Sequence, residues 1–235
     1  MTIPILVYHS ICDEKSNLSL NIAAFEKQIQ YLKKNNFETI NFNQINTSKV
    51  NKKIIITFDD GYKDILINAL PILIKYNFTA TCFLVSNLIG ADNKWDISKK
   101  NFMKIDLLSK KDINEWINNG MSIGSHSHNH KDLTNITHDD LKHELDFSKK
   151  TLEDLFGYKI RNFSYPFGKV NNEVYMAAKK TYDYAVTTNR SRYKVKKHNN
   201  LLIPRIDMGK NMSFFKIFLK LETIYEDIKF KKNEL

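Results

Sequence analysis

A parallel α/β fold, closed or nearly closed into a barrel, is predicted by three features of this chain. Apolar, β-branched runs alternate with segments of helical periodicity from end to end, with no linker or repeat between them. Several of these runs are apolar throughout, as buried parallel strands are. The residues able to carry chemistry cluster directly after such runs, where α/β folds place ligands and catalytic groups. The number of elements within 235 residues favours a barrel over an open sheet, as a single domain over 1–235.

Taken in order, Ile3 to Tyr8 reads as a first strand. A helix follows, with Asn21 as its cap and Ile22, Phe25, Ile29 and Leu32 on one stripe. Thr39 to Phe42 reads as a short alternating strand, and Ile54 to Phe58 as a buried one. Lys63 to Tyr76 carries a helical pattern that Pro71 should kink or shorten. Thr79 to Val85 is again a buried strand. Residues 87 to 108 lack a clear period and include Trp95, Phe102 and Met103; so long a loop predicts a wall of a functional cleft. Ser109 caps a helix that Gly120 ends, and Met121 to Ser125 is a strand. Thr137 opens a long helix with Leu141, Leu145, Leu152 and Leu155 inward, ending at Gly157. Strands at Ile160 to Tyr165, Tyr184 to Thr188 and Leu201 to Ile206, with helices from Asn171 and Ser213, complete the pattern.

Composition excludes several classes. No apolar span reaches 20 residues, so no transmembrane helix is expected, although peripheral contact with a lipid-linked glycan stays open. The first nine residues lack a basic segment and a cleavage site, which predicts a cytoplasmic protein. Cys12 and Cys82 read as free thiols. Net charge is +10, but only Arg161, Arg190, Arg192 and Arg205 among the 36 bases are arginine. Dispersed lysine is a solvated surface, whereas readers of nucleic acid cluster arginine, so no nucleic acid is expected. The basic runs at 190–197 and 229–232 are the exceptions to that dispersal.

The chemistry begins at Thr57-Phe58-Asp59-Asp60-Gly61. Successive side chains on a strand face opposite ways, so the two carboxylates diverge unless the strand has ended; Gly61 permits a sharp turn there. Helix capping accounts for one aspartate and poorly for both. The run Ser125-His126-Ser127-His128-Asn129-His130 places three histidines in five residues at another strand end. One helical turn would put His126 and His130 on the same side and leave His128 outside. Two imidazoles and a carboxylate form a divalent-metal set with open positions for water and substrate, used by hydrolases and also by non-haem iron oxygenases. The second aspartate favours hydrolysis, because it supplies a base beside the metal. Tyr165-Pro166-Phe167-Gly168 reads as a strand-ending turn that could aim a backbone N–H and an aromatic wall into the pocket.

Thr57 to Gly61, His126-Ser127-x-x-His130 and Tyr165-Pro166-Phe167-Gly168, in this order, resemble the first three motifs of the polysaccharide deacetylases of carbohydrate esterase family 4, the NodB-homology domain. With the Leu6-Val7-Tyr8-His9 opening, the chain looks most like the poly-N-acetylglucosamine deacetylase branch. The resemblance implies a distorted (β/α) barrel and metal-dependent hydrolysis of an acetyl group on an N-acetylated sugar of a polysaccharide, precursor or glycoconjugate. It implies zinc, with cobalt, nickel or iron as alternatives, on Asp60, His126 and His130. Asp59 would be the general base, and the Phe167 N–H would help hold the oxyanion. Tyr165, Pro166 and Trp95 become candidate sugar contacts, and Phe167 and Tyr62 further stacking faces.

Three departures matter. The family's arginine before the Pro-aromatic-Gly turn is Ser164 here, and Arg205 is the candidate to orient Asp59 instead. The C-terminal histidine motif of the general acid has no counterpart, so His9 is assigned that role. The fourth motif, near Tyr182 to Val186, lacks its tryptophan. A glycan-binding relative without catalysis and a deacylase of non-sugar amides are the alternative readings.

Overall fold

Seven parallel strands close on one another: β1 (Ile5–Tyr8), β2 (Lys52–Phe58), β3 (Thr81–Leu84), β4 (Ser122–Ser125), β5 (Asn162–Ser164), β6 (Tyr184–Arg190) and β7 (Ile203–Asp207). The computed structural model describes residues 1–13, 18–98, 103–210 and 212–230. Each strand pairs with the next, and β7 returns to β1 through Ile206 opposite Leu6 and Asp207 opposite Val7. A short strand, Phe37–Thr39, extends the edge of β2. Closure removes the free edges that an open parallel sheet would expose.

The two-residue period of the strands sorts the core into two layers. Ile54, Ile56 and Phe58 of β2 face outward with Leu6, Cys82, Ile123, Phe163 and Ile206, beneath the helices. Ile55 faces inward with Ile5, Phe83, Val186 and Ile203, and Phe42 packs with them. Counting on by twos, the inward columns end in Asp59 on β2, His126 beyond β4, Ser164 on β5 and Arg205 on β7. The polar residues of the mouth are therefore continuations of the apolar barrel interior.

The helices are α1 (Ile22–Lys34), α2 (Leu70–Tyr76), α3 (Lys110–Asn118), α4 (His138–Lys142), α5 (Ser148–Phe156), α6 (Asn172–Thr181), α7 (Phe214–Glu222) and α8 (Tyr225–Lys229). Capping by Asn21, Ser109, Thr137, Asn171 and Ser213 is realised, each side chain accepting from a backbone N–H three residues on. Pro71 sits at the first turn of α2, and Ile65–Ala69 before it winds as a π-helix; proline has no N–H to continue the helical ladder. A second π segment, His143–Phe147, joins α4 to α5.

Some expectations shift. The strand expected at Thr39 to Phe42 is Phe37–Thr39, and Phe42–Gln44 is a 3₁₀ turn with Phe42 fully buried. Ile3 belongs to a separate two-residue strand, Thr2–Ile3, paired with Tyr193–Lys194, because Pro4 lacks the donor to continue the ladder. Cys82 is buried and Cys12 half-buried, and both are free. Arg190 and Arg192 hold Glu226 at 3.2 Å and Asp227 at 3.1 Å, so that basic run pins α8 to the barrel. Of the second basic run and the long loop, Lys231, Lys232 and Phe102 lie outside the described residues. Among the described residues, no helix is long and apolar enough to cross a membrane.

Gly124 faces inward on β4, where an added Cβ would meet the Phe83 ring at 2.6 Å and the Asn162 carbonyl at 3.0 Å. Gly124→Ala should lower stability by about 1–3 kcal/mol, as overpacking does. Urea unfolding should show a lower midpoint with an unchanged slope.

Candidate active site

Asp59 and Asp60 leave β2 in different directions. The Asp59 N–H still donates to the Tyr8 carbonyl at 3.0 Å, as a strand residue would. Asp60 has φ 72° and Gly61 φ 77°, so the chain turns left-handed twice and swings the second carboxylate out of the strand plane. Helix capping is not what holds them, since the next helical segment begins at Ile65.

Arg205 grips Asp59 with both ends of its guanidinium, at 2.8 Å (Nη1 to Oδ1) and 2.6 Å (Nη2 to Oδ2). Its Nε donates to the Thr187 carbonyl at 3.1 Å, and Thr57 Oγ1 and Ser164 Oγ accept from its two Nη groups. Thr187 lies where the register of β6 on β7 shifts, and that irregularity accompanies the carbonyl's approach to Arg205. Arg205 is 1% exposed and Asp59 3%. Burial works to raise the Asp59 pKa, but the guanidinium outweighs it and holds the carboxyl below its usual range. Ser164 Oγ adds a bond to Asp59 at 3.2 Å.

Asp60 faces the histidines. Its Oδ1 lies 3.3 Å from Nε2 of both His126 and His130, and the donor atoms of the three residues fall within 4.8 Å of one another. The histidine segment is not a helical turn, contrary to the expectation from spacing. Ser127 (φ 65°) and His130 (φ 58°) are left-handed, and the His130 N–H donates to Ser127 Oγ at 3.0 Å. The fold still brings both imidazoles together. His128 turns away, with Nδ1 2.8 Å from Ser86 Oγ and its ring against His143 and Phe147.

His126 Nδ1 lies 2.7 Å from the Ser164 carbonyl and donates to it, which leaves the lone pair on Nε2. That lone pair then points at a carboxylate oxygen, an arrangement that repels unless a proton or cation lies between. Burial raises the Asp60 pKa, but the two imidazoles outweigh it and hold the group well below the usual range. Burial lowers the pKa of both histidines; facing carboxylates reverse this for His126, whereas His130 stays low. The donor set, two imidazoles and one ionised carboxylate, fits a divalent cation.

Around the triad, Phe167 has φ 59° and ψ 4°, and its ring packs edge-to-face with His130, their centroids 4.7 Å apart. Gly168 follows with φ 68°, and an added Cβ would collide with Thr188 Oγ1 at 1.9 Å. Trp95, half-buried, lies over His130 at 4.5 Å and 32°. His9 follows β1 half-buried, and its charge helps lower the pKa of both Asp59 and Asp60, which places it at the same mouth. His198 is engaged elsewhere, accepting from the Lys194 N–H and packing on Tyr193.

Three expected sugar contacts are corrected. Tyr165 is 1% exposed, packs edge-on against Phe163 and donates to the Leu201 carbonyl at 3.0 Å. Pro166 is buried beneath the turn, and Tyr62 is fully buried. Tyr165 and Tyr62 follow strand or turn residues whose aromatics fill the protein, a distinction that residue type alone does not make. Sequence reasoning also missed the roles of Thr57 and Thr187, whose hydroxyl and backbone carbonyl accept from Arg205.

Comparison with known proteins agrees with this architecture. The polysaccharide deacetylase family model matches residues 46–186. The YxkH protein of Bacillus subtilis, named for the polysaccharide deacetylases, is 32% identical over 79% of this chain and 64% of its own length. The poly-β-1,6-N-acetyl-D-glucosamine N-deacetylase of Staphylococcus aureus is 27% identical over 74% of this chain and 62% of its own. The chain thus spans a little under two thirds of these curated relatives. Among solved structures, the Streptococcus pyogenes deacetylase PplD, in complex with acetate, superposes with a TM-score of 0.83 at 27% identity, covering 94% of this chain and 99% of that one. A Bacillus anthracis protein named for a polysaccharide deacetylase superposes at 0.82 with 30% identity, over 94% and 69%. The chain belongs to the polysaccharide deacetylase family.

Removing Arg205 leaves the Asp59 charge buried and unpaired. Arg205→Met should cost about 3–5 kcal/mol. The double variant Arg205→Met/Asp59→Asn should recover part of the loss in a denaturation cycle, because the buried charge goes with its partner.

Proposed function

We propose that the chain is a metal-dependent hydrolase that removes the acetyl group from an N-acetylated sugar of a glycan. The observation that carries this reading is the division of two adjacent aspartates, one clamped by Arg205 and the other facing two imidazoles. The names and acetate ligand of the relatives support the same substrate class.

A divalent cation held by Asp60, His126 and His130, for which zinc suits the donors best, supplies Lewis acidity toward a water and an acyl oxygen. Asp59 is ionised, because Arg205 holds its pKa low, and it takes the proton from the attacking water. Arg205 fixes the carboxylate's orientation by gripping both oxygens. The backbone N–H of Phe167, at the left-handed turn before Gly168, donates to the developing oxyanion. His9 protonates the leaving nitrogen as the C–N bond breaks, so acetate and a free amine result. Trp95 and Phe167, the latter 44% exposed, form the aromatic faces that remain open to a sugar ring.

Acetate release from N-acetylglucosamine oligomers tests the proposal. Chelation should abolish release and Zn²⁺ should restore it. Asp59→Asn should lose about 10²–10⁴-fold in kcat while still binding the cation. Tight glycan binding without acetate release, with Zn²⁺ present, would instead favour the non-catalytic relative; release only from non-sugar amides would move the substrate class.

A further inference from the structure

We propose that Glu144 is a positioning residue for the metal site: its carboxylate holds the histidine loop at Asn129 and so sets where His130 presents its imidazole. The proposal rests on the reading of Asp60, His126 and His130 as ligands. His130 lies beyond the end of β4, on a loop with two left-handed residues, Ser127 and His130. The loop is neither strand nor helix, so its path depends on bonds from side chains and neighbouring backbone.

Glu144 is 1% exposed. Its Oε2 accepts from the Asn129 N–H at 2.7 Å, and its Oε1 accepts from Asn129 Nδ2 at 2.7 Å. A carboxylate makes such bonds stronger than a neutral oxygen does. From the other side, Asn87 Nδ2 donates to Asn129 Oδ1 at 2.7 Å. The Asn87 N–H donates to the His128 carbonyl at 3.0 Å, and the Ser86 N–H to the Ser127 carbonyl at 3.2 Å. Anchors from two sides thus meet at Asn129, and His130 is the next residue along the chain. Burying a carboxylate is a costly way to gain stability alone, and both oxygens of this one are directed at a single residue of the ligand loop.

The helix is wound to deliver Glu144 there. Leu141, Leu145, Ser148 and Leu152 are buried along α4 and α5, at the spacing of a helix face. The wider turn of the π segment His143–Phe147 adds Glu144 beside Leu145 to that face, and such insertions are frequent at functional sites. The Tyr182 hydroxyl lies 2.9 Å from both the Leu145 carbonyl and Ser125 Oγ, and Ser148 Oγ lies 2.8 Å from Ser125 Oγ. The same stretch of helix therefore meets the ligand loop at both ends: at Ser125, just before His126, and at Asn129, just before His130. It braces the two histidines against one support.

Zn²⁺ affinity of the folded protein, measured by competition with a chromophoric chelator, tests this, together with melting of the metal-free protein. Wild-type protein should bind one equivalent. Glu144→Ala, which removes both acceptors, should bind about 10–100-fold more weakly. Glu144→Gln keeps one acceptor oxygen and turns a donor toward the second Asn129 donor, so its affinity should fall between the two. A role in stability alone would lower the melting temperature of the metal-free protein and leave the affinity of the folded protein unchanged. Wild-type affinity in both variants would overturn the role of Glu144 and leave the metal reading intact. Should Glu144→Ala fail to fold, the Gln variant decides. Absence of Zn²⁺ binding by the wild type would overturn the metal reading, and this proposal with it.

Discussion

Two consecutive left-handed residues, Asp60 and Gly61, are the constraint on which the site depends. A non-glycine residue in that region costs roughly 1–2 kcal/mol, so the conformation must be held by its surroundings. Packing holds it here: a Cβ on Gly61 would touch the Leu84 side chain at 2.8 Å, and Asp60 is engaged by both imidazoles. The consequence is chemical. An extended chain would have sent Asp60 outward into the apolar helix layer; the double turn keeps it at the mouth, close to Asp59 but in a different electrostatic setting. One carboxylate lies against a fixed cation and the other against groups that can share one.

The barrel interior explains why so much charge is tolerated there. A buried ion pair rarely repays its desolvation unless every donor and lone pair is met. Arg205 meets that condition through Asp59, Thr57, Ser164 and Thr187, drawn from three strands. Each partner sits at the top of an inward-facing column, so closure of the seven strands supplies the cage. Ser164 takes part twice, with its hydroxyl on Asp59 and Arg205 and its carbonyl on His126, and couples the base to the metal ligands. A small residue there leaves room for the guanidinium that arrives from β7 instead.

The turn at Phe167 and the loop at Trp95 converge on His130 from two sides. Left-handed backbone recurs at Ser127, His130 and Phe167, so strained conformations gather at the mouth. Such strain persists only where neighbouring contacts over-determine it, and the aromatic enclosure of His130 supplies those contacts.

The parallel α/β order, the helix caps and the three motif positions were legible in the sequence, because they follow from local periodicity, side-chain capping and residue chemistry at strand ends. Fold class followed from the same signals, since apolar runs alternating with helical stripes admit few architectures. The exposure of Tyr165 and Tyr62 was not legible, because an aromatic at a strand end serves core or cleft equally well until its neighbours are placed. The left-handed path from His126 to His130 was hidden for a related reason: spacing of four suits a helical turn, and only packing against β3 and β5 selects the loop. The partnership of Asp59 with Arg205 spans 146 residues and exists only because β7 closes against β1. The sequence determined which groups could do chemistry at Asp59 and Asp60; the tertiary structure decided that their backbones part, and so gave each a different partner.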